Sequence, residues 1–405
     1  MTDLETPVAP ARPGPWPRRV APALLGYAAV RALGLAALAL WSAARDKSAH
    51  QLLTARWDSL WYTRVAEVGY GYEVRLPNGD VHSNLAFFPL LPWLERAVSA
   101  VTPLSYADAG LLVSTLASLA AAWGIFAVAD HVYGRRAGVC AVLLWAVLPV
   151  GIVQSMAYSE SLFTALAAWS LYAVLTGRWL TAGLLASFAG LTRPVGAAVV
   201  AAVWVAAITS YVRDSSVVRD ASTRDSSVRE RSVPALDSAP FWRRTLGMLL
   251  APLGAAGYVL WVGQHTGQGP LGYLDVQAGW GNGFDGGYAF ARFIADKFTS
   301  FPSALAGLGL IVGVALVIWL YVICARQAQP LPLLVYAGIV TALTLCASSY
   351  FGSKPRLLLP AFPLLLPPAL ALARLRTSRS AWVLGGVVVV SAVYGAFWLN
   401  GSGPP

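Results

Sequence analysis

Long runs of apolar residues with almost no charge recur along the 405-residue chain, from Val20 to Leu399. A run of roughly 18 or more such residues is long enough to cross about 30 Å of hydrocarbon as a helix. Charged residues make up only 12% of the chain, which is far below the share in a soluble domain. We therefore predict an all-α polytopic membrane protein and exclude a water-soluble enzyme.

The apolar runs predict about eleven transmembrane helices within a single membrane domain that covers residues 20–399. The predicted helices are 20–42, 107–129, 137–155, 159–176, 179–191, 195–212, 245–265, 303–325, 331–349, 357–373 and 381–399. The runs at 179–191 and 195–212 are short and meet at Arg193-Pro194, where the proline removes a backbone donor. This pair is interpreted as a tight hairpin.

The distribution of lysine and arginine predicts the orientation in the cell membrane. If the N-terminal tail, residues 1–19, is cytoplasmic, the inner segments carry an excess of basic residues and the outer segments are balanced by acids. The C-terminal tail, residues 400–405, is then outside. The net charge of +10 follows from this bias, and no nucleic-acid partner is predicted.

Three hydrophilic segments interrupt the predicted helices. The largest is outer segment 43–106, expected to carry interfacial helices and the chemistry. The inner segment 213–243 repeats Arg-Asp-Ser-Ser-Val and has few residues that would build a core, so we predict a disordered connector. The segment 266–302 is a second outer loop, rich in glycine.

The first outer segment contains a helical pattern that brings an acid to the membrane surface. Trp57, Trp61 and Val65 are spaced four apart, so a helix would place them on one side, in the headgroup layer. Asp58 borders this aromatic face. A carboxylate held at such a boundary suits a general base.

A second interpretation of the same residues assigns them no chemistry. Trp57, Trp61 and Tyr62 then form an interfacial aromatic belt, and Asp58 is the ion-pair partner of Arg56 or of a neighbouring arginine. The residues alone leave both interpretations open.

Several segments, taken in order, resemble the motifs of one enzyme family. They are Trp57-Asp58 with Trp61-Tyr62, Ala66 and Gly69-Tyr70; Ala86-Phe87-Phe88-Pro89-Leu90 with Pro92; Tyr158-Ser159-Glu160-Ser161-Leu162-Phe163; Leu191-Thr192-Arg193-Pro194-Val195-Gly196; Gln277-Ala278-Gly279-Trp280-Gly281; and Pro355-Arg356-Leu357-Leu358-Leu359-Pro360-Ala361-Phe362-Pro363. This series is similar to the PIG-V-type mannosyltransferases, in particular their bacterial members. They are glycosyltransferases of the GT-C fold that use polyprenyl-phosphate sugars. The chain departs from the family pattern at Pro194.

The resemblance implies transfer of a sugar, mannose by analogy, from a polyprenyl-phosphate donor to an acceptor hydroxyl on the extracytoplasmic face. The acceptor would be a glycan, a lipid or a protein. An inverting displacement needs a base, for which we predict Asp58, and cationic groups for the leaving phosphate. We predict that Arg356 binds that phosphate by a two-point contact.

The other predicted substrate-binding residues each have a structural alternative. Lys354 either binds the phosphate or reaches to lipid headgroups, and Arg193 either binds phosphate or acceptor or simply reaches the outer interface. Glu160 either binds a sugar hydroxyl or is a helix N-terminal acid. Gln277 and Trp280 form either a carbohydrate platform or a flexible loop with an interfacial tryptophan. With Arg356, the predicted substrate-binding set is completed by the aromatic residues Trp57, Trp61 and Tyr62.

No cofactor and no metal site are predicted. His50, His82, His131 and His265 lack metal-ligand spacing, and Cys140, Cys324 and Cys346 fall inside apolar runs as packing residues. The sequence leaves open an ion bound at Asp58. The competing functional class is a transporter or lipid-carrier flippase, which also needs many helices and buried charges.

Overall fold

The computed structural model describes residues 16–223, 240–348 and 350–401, which are mostly helical. The α-helices in chain order are α1 (Trp16–Ala43), α2 (Ala49–Thr54), α3 (Asp58–Val68), α4 (Leu90–Val101), α5 (Tyr106–Tyr133), α6 (Arg135–Ala146), α7 (Glu160–Leu175), α8 (Trp179–Gly190), α9 (Gly196–Thr223), α10 (Phe241–Leu250), α11 (Leu253–Thr266), α12 (Gly272–Gly279), α13 (Tyr288–Asp296), α14 (Ser303–Arg326), α15 (Leu331–Cys346), α16 (Lys354–Leu357), α17 (Leu366–Arg374) and α18 (Thr377–Leu399). Two short antiparallel ladders pair β1 (Glu73–Arg75) with β2 (Val81–Ser83) and β3 (Gly283–Phe284) with β4 (Ala347–Ser348).

Six helices in the described part of the chain are long and apolar enough to cross a membrane. They are Arg18–Ala43, Tyr106–Tyr133, Gly196–Ser215, Phe241–Thr266, Ser303–Arg326 and Thr377–Leu399. A pair bent by 71°, Phe351–Leu357 with Phe362–Arg374, adds a seventh if it is one span. The multi-pass, helical fold class is confirmed, but the count of about eleven crossings is not.

Prolines account for most differences from the predicted helix limits. The predicted helix 137–155 ends at Ala146, because Pro149 interrupts the run and a separate 3₁₀ turn follows at Gly151–Ser155. The predicted helix 357–373 is broken in the same way between α16 and α17, where the chain has Pro360 and Pro363.

Other limits extend beyond the prediction. The helix predicted at 195–212 continues as α9 to Thr223, so the predicted disordered connector 213–243 begins as a helix. Most of the rest of that connector, and most of both predicted tails, lies outside the described residues.

Contacts sort the loops to two opposite ends of the protein. At one end Arg135 donates to the carbonyl of Arg19, and Arg136 donates to the carbonyl of Leu375. At the other end Lys47 donates to the carbonyl of Asn400. The first end gathers segments predicted to be inner and the second gathers segments predicted to be outer. Which end faces the cytoplasm stays a prediction from the charge bias.

Three helices that begin or end near the inner end are too short to span the hydrocarbon. Helices α6 and α8 have 12 residues each and α7 has 16. At about 1.5 Å per residue they reach only about 18–24 Å, against about 30 Å of hydrocarbon. The outer ends of these three helices, near Ala146, Glu160 and Gly190, therefore lie deeper in the protein than the outer ends of the long helices. We call the surface that they form the floor.

Elements of the first outer segment cover this floor. A buried cluster is formed by Tyr62 of α3, Phe87 in the segment before α4 and Leu91 of α4, and it packs against Leu162 of α7. The backbone amide of Leu90 donates to the carbonyl of Leu191, which joins the segment to the end of α8. The floor and its cover enclose the side chains of the candidate site.

A buried acid, Glu95, lies on the face of α4 that packs against α5. Its side chain is fully buried, and among the described residues neither carboxyl oxygen has a hydrogen-bond partner. A Cβ added at Gly110 of α5 would be 2.5 Å from Oε1, so this glycine makes the close approach possible. Burial raises the pKa of Glu95 from its ordinary value to about 9.

We expect Glu95 to make the stability of the protein depend on pH. Because burial raises the pKa to about 9, the folded protein keeps a proton that the unfolded chain releases, so stability falls as pH rises from about 4.5 to about 9. Glu95→Gln removes this dependence and should be more stable than the parent by about 3 kcal/mol at pH 7. Thermal unfolding in detergent at pH 5 and pH 9 measures the difference. If Glu95→Gln changed the stability by the same amount at both pH values, the predicted pH dependence would be wrong. The control is Glu67→Gln, because the side chain of Glu67 is exposed.

Candidate active site

Four charged side chains from distant parts of the sequence meet on the floor. An Arg356 nitrogen lies 2.7 Å from a carboxylate oxygen of Asp58 and 3.7 Å from one of Glu160. An Arg193 nitrogen lies 2.5 Å from the same Glu160 oxygen. The two acids and two bases cancel in formal charge, which makes their burial tolerable.

The four side chains differ in their access to solvent. The side chain of Glu160 is 2% exposed, that of Arg356 is 9% exposed and that of Arg193 is 14% exposed, whereas Asp58 reaches 24%. Asp58 is therefore the member at the rim, the most accessible of the four to solvent.

Hydrogen bonds extend this chain of charges back to α3. Arg193 donates to the hydroxyl oxygen of Ser159 at 3.3 Å, and that hydroxyl is 2.7 Å from the hydroxyl of Tyr62. Tyr62 and Asp58 are four residues apart in α3, so they lie on one face of the helix. These contacts, together with the turn of α3 that joins Tyr62 to Asp58, form a ring that we call the charge ring: Asp58, Arg356, Glu160, Arg193, Ser159 and Tyr62.

The segment just before Asp58 is held by hydrogen bonds to the end of α18. Arg56 donates to the carbonyls of Leu399 and Gly401, at the end of α18. Trp57 has a φ of +49°, a left-handed conformation uncommon for a bulky residue. Asp58 then begins α3, where the helix dipole favours its negative charge. Arg56 was one of the ion-pair partners that the sequence offered for Asp58, but it is hydrogen-bonded to the end of α18 instead. Asp58 forms its ion pair with Arg356.

The predicted common face of Trp57, Trp61 and Val65 is not found. Trp57 lies before the helix and packs with the cluster around Leu38 and Leu52, with the Arg56 guanidinium 3.9 Å from its ring centre. Trp61 packs in a different cluster. The left-handed turn at Trp57 separates the two rings, and four-residue spacing did not reveal it.

Trp61 and Trp280 form an aromatic wall beside the charge ring. The ring centre of Trp61 is 4.8 Å from that of Trp280 and 5.6 Å from that of Phe87. Phe87 in turn contacts Tyr62 of the charge ring at 5.2 Å. The two outer loops that carry Trp61 and Trp280 are thus brought together, although they are far apart in sequence.

Gln277 has a supporting position near this wall. Its amide nitrogen donates to the hydroxyl of Tyr273, and its oxygen accepts from Asn282 at 2.8 Å. Trp280 donates to the carbonyl of Ser83 at 3.0 Å, and His82 stacks on its ring. The polar atoms of Gln277 and Trp280 thus hold the loop, whereas the Trp280 ring helps to form the wall.

Tyrosines that the sequence analysis did not select hold the segment that carries Phe87. The Tyr258 hydroxyl lies 2.8 Å from the carbonyl oxygen of Leu85 and 2.9 Å from that of Phe87. Tyr70 donates to the carbonyl of Phe87 at 2.8 Å. Ser159 was also missed as a contact residue, although it directly precedes Glu160 in a quoted motif.

Lys354 is only two residues from Arg356 in sequence, but its buried side chain does not contact the charge ring. Its ammonium group donates to the carbonyls of Thr344 and Ala347 at 2.6 Å and 2.9 Å. The alternative in which Lys354 reaches to lipid headgroups does not fit its burial, and its predicted role in substrate binding stays a prediction. Within residues 16–223, 240–348 and 350–401, no three His, Cys, Asp or Glu side chains are grouped so as to hold a metal ion.

Part of the sequence matches a known family model. Residues 85–220, less than half of the chain, match the family described as dolichyl-phosphate-mannose-protein mannosyltransferase. The matched region includes Glu160 and Arg193. No curated protein matches the chain.

Two solved structures of one bacterial protein are similar to this chain. The crystal structure of ArnT from Cupriavidus metallidurans bound to undecaprenyl phosphate matches with a TM-score of 0.52 and 14% identity, over 91% of this chain and 63% of that chain. The structure of the same protein in the apo state matches with a TM-score of 0.46 and 14% identity, over 84% of this chain and 68% of that chain. The chain thus spans less than two thirds of the undecaprenyl-phosphate-bound ArnT chain.

The likeness to the first of these structures establishes the fold. The chain has the GT-C-type architecture of a multi-pass membrane protein, as predicted from its sequence. The narrower resemblance to the PIG-V type is not confirmed and stays a prediction.

Proposed function

We propose that this chain is an integral membrane glycosyltransferase. It transfers a sugar, mannose by analogy, from a polyprenyl-phosphate donor to an acceptor hydroxyl on the extracytoplasmic face, with inversion at the sugar carbon. One observation carries the proposal: the partly exposed carboxylate of Asp58 is 2.7 Å from the buried guanidinium of Arg356. A base and a phosphate-binding cation are the two groups that such a displacement requires.

The comparisons support the choice of donor. The matching family model is described by a dolichyl-phosphate-mannose substrate, and the similar ArnT structure holds undecaprenyl phosphate. Both names describe polyprenyl phosphates, and the first includes mannose. We therefore propose a polyprenyl phosphate as the lipid of the donor for this chain, and mannose as the first sugar to test.

Asp58 acts as the general base in this proposal. It takes the proton of the acceptor hydroxyl while the acceptor oxygen bonds to the anomeric carbon of the sugar. The bond from that carbon to the phosphate oxygen breaks on the opposite face. The products are the glycoside, protonated Asp58 and polyprenyl phosphate with one more negative charge than the donor.

Arg356 links the two halves of this reaction. Before transfer its positive charge is shared with Asp58 and Glu160. When Asp58 gains the proton, its attraction for Arg356 is lost while the negative charge on the phosphate grows. The contact of the guanidinium with the phosphate then strengthens, and Arg356 holds the leaving phosphate by a two-point contact.

Glu160 and Arg193 support Arg356 from below. Glu160 is almost fully buried between the two arginines, so we assign it to holding their positions rather than to binding a sugar hydroxyl. Arg193 is fixed by Glu160 and Ser159. Because the Arg193 side chain is 14% exposed, we assign its remaining N–H groups to a secondary contact with the phosphate.

The aromatic wall of Trp61 and Trp280 is assigned to the sugar or the first prenyl units. Flat aromatic faces bind the apolar faces of sugars and isoprenoid groups alike. Trp57 packs away from Trp61, so we do not assign it a substrate contact. Gln277 has a supporting role because its polar atoms are bonded within the loop.

The test supplies radiolabelled polyprenyl-phosphate mannose to membranes from a deletion strain, with and without the protein. We expect labelled product only where the protein is present, and the anomeric configuration by NMR gives the stereochemistry. The same experiment with polyprenyl-phosphate glucose tests the sugar. Substrate-dependent uptake into proteoliposomes without a glycan product would instead support the transporter.

A further inference from the structure

The Lys354 ammonium is held at the C-terminal end of α15. Helix α15 ends at Cys346, and Lys354 donates to the carbonyls of Thr344 and Ala347. The last four carbonyls of a helix lack partners within it, and a cation there also interacts favourably with the helix dipole. Lys354 therefore closes this helix end through two charge-assisted hydrogen bonds.

The surroundings of Lys354 shield it from a lipid phosphate. The side chain is 4% exposed, and its ammonium lies 4.5 Å from the ring centre of Phe290 and 5.4 Å from that of Phe351. Two of its three protons point to backbone carbonyls. A phosphate ligand would need both access and free donors, and this geometry offers little of either.

Helix α16, which carries both Lys354 and Arg356, is too short to hold its own shape. It has four residues, and helices of that length are not stable in isolation. Pro355 lies between the two basic residues and restricts the backbone. The orientation of Arg356 therefore depends on what anchors the turn, and Lys354 anchors its first residue.

We propose that Lys354 is a positioning residue: it fixes α16 to the end of α15 and thereby aims Arg356 at Asp58. This inference rests on the proposed function for its kinetic consequence. Its structural consequence, a mobile α16 when the anchor is removed, can be measured without any activity.

The structural test compares Lys354→Met with Lys297→Met by hydrogen–deuterium exchange of the purified full-length protein. Lys297 is a matched control, because its ammonium group also lies over a phenylalanine ring, 4.3 Å from the centre of Phe293, and no hydrogen bond from that ammonium group to a carbonyl is found among the described residues. We expect exchange over residues 344–361 to become roughly tenfold faster in Lys354→Met only. Lys354→Arg should restore most of the protection. Equal exchange in Lys354→Met and the parent protein would overturn the proposal.

The kinetic test is a double-mutant cycle with Arg356. If Lys354 acts through Arg356, Lys354→Met should raise KM for the polyprenyl-phosphate sugar about tenfold in the parent protein and have little further effect in Arg356→Met. Independent, additive losses would show a direct role and overturn the positioning assignment. If the parent protein transfers no sugar, the proposed function fails, and the exchange experiment still decides the role of Lys354.

Discussion

Asp58→Asn is expected to lower kcat for sugar transfer by a factor of about 10²–10⁴, the usual contribution of a positioned general base. Asparagine keeps nearly the same shape and can still contact Arg356, but it cannot accept the proton of the acceptor. Glu160, which lies 3.7 Å from Arg356 in the parent protein, remains as its acidic neighbour. The fold of the site should therefore survive, and the loss should appear in the chemical step.

The same substitution should leave donor binding intact or strengthen it. Asp58 is a competitor of the donor phosphate for Arg356, since the carboxylate lies 2.7 Å from the guanidinium. Removing its negative charge frees Arg356 and lowers repulsion of the phosphate. A decrease in kcat with an equal or lower KM for the donor is the expected signature.

Steady-state transfer of radiolabelled mannose, with thermal unfolding in parallel, measures both effects. Asp80→Asn, in the exposed turn between β1 and β2, is the control for loss of one outer acid. If Asp58 were only the ion-pair partner of Arg356, Asp58→Asn would lower thermal stability and keep most of kcat. That outcome would remove Asp58 from the chemistry.

The membrane fold could be predicted from the sequence because hydrocarbon imposes a length and a composition on any crossing helix. The run at 303–325 shows this best, since α14 extends over Ser303–Arg326. The number of crossings was harder to predict, because short apolar runs such as that of α8 are equally compatible with a full span and with a helix that stops inside the protein. Packing against neighbours decides between them.

The charge ring could be predicted only in part. Asp58, Glu160, Arg193 and Arg356 each appear as unusual charges beside apolar runs, so sequence could select them one by one. Their pairing depends on the meeting of α3, α7, the end of α8 and α16, and no local pattern encodes it. The bonds of Ser159 to both Tyr62 and Arg193 were invisible for the same reason.

Lys354 shows that the charge and sequence position of a residue do not define its contacts. A lysine two residues before Arg356 suits a phosphate ligand or a side chain that reaches to lipid headgroups, and the sequence leaves both interpretations open. Its role depends on where α15 ends, and α15 stops at Cys346, three residues before the predicted limit of 349. Lys354 binds carbonyl groups at this helix end, where the helix itself provides no further donors.

Arg356→Met should be as severe as the loss of the base but should differ in kind. We expect kcat/KM for the donor to fall by a factor of about 10²–10³, with a higher KM, because the main cation for the phosphate is lost. The pair of Glu160 with Arg193, 2.5 Å apart in the parent protein, does not involve Arg356, so we expect the variant to retain one of the three ion pairs of the charge ring. Arg356→Lys should recover only part of the activity, since a lysine lacks the planar fork that serves two oxygen atoms at once.

A second substitution distinguishes phosphate binding from a purely structural effect of Arg356→Met. Combining Arg356→Met with Asp58→Asn removes the unpaired acid that the single variant leaves at the rim, so thermal stability should return towards that of the parent protein. Donor binding, measured with polyprenyl phosphate alone, should stay weak in both proteins if Arg356 is a phosphate ligand. If donor binding recovered together with stability, Arg356 would have only a structural role. Arg75→Met is the control for the loss of one cation, because Arg75 is an exposed arginine of β1.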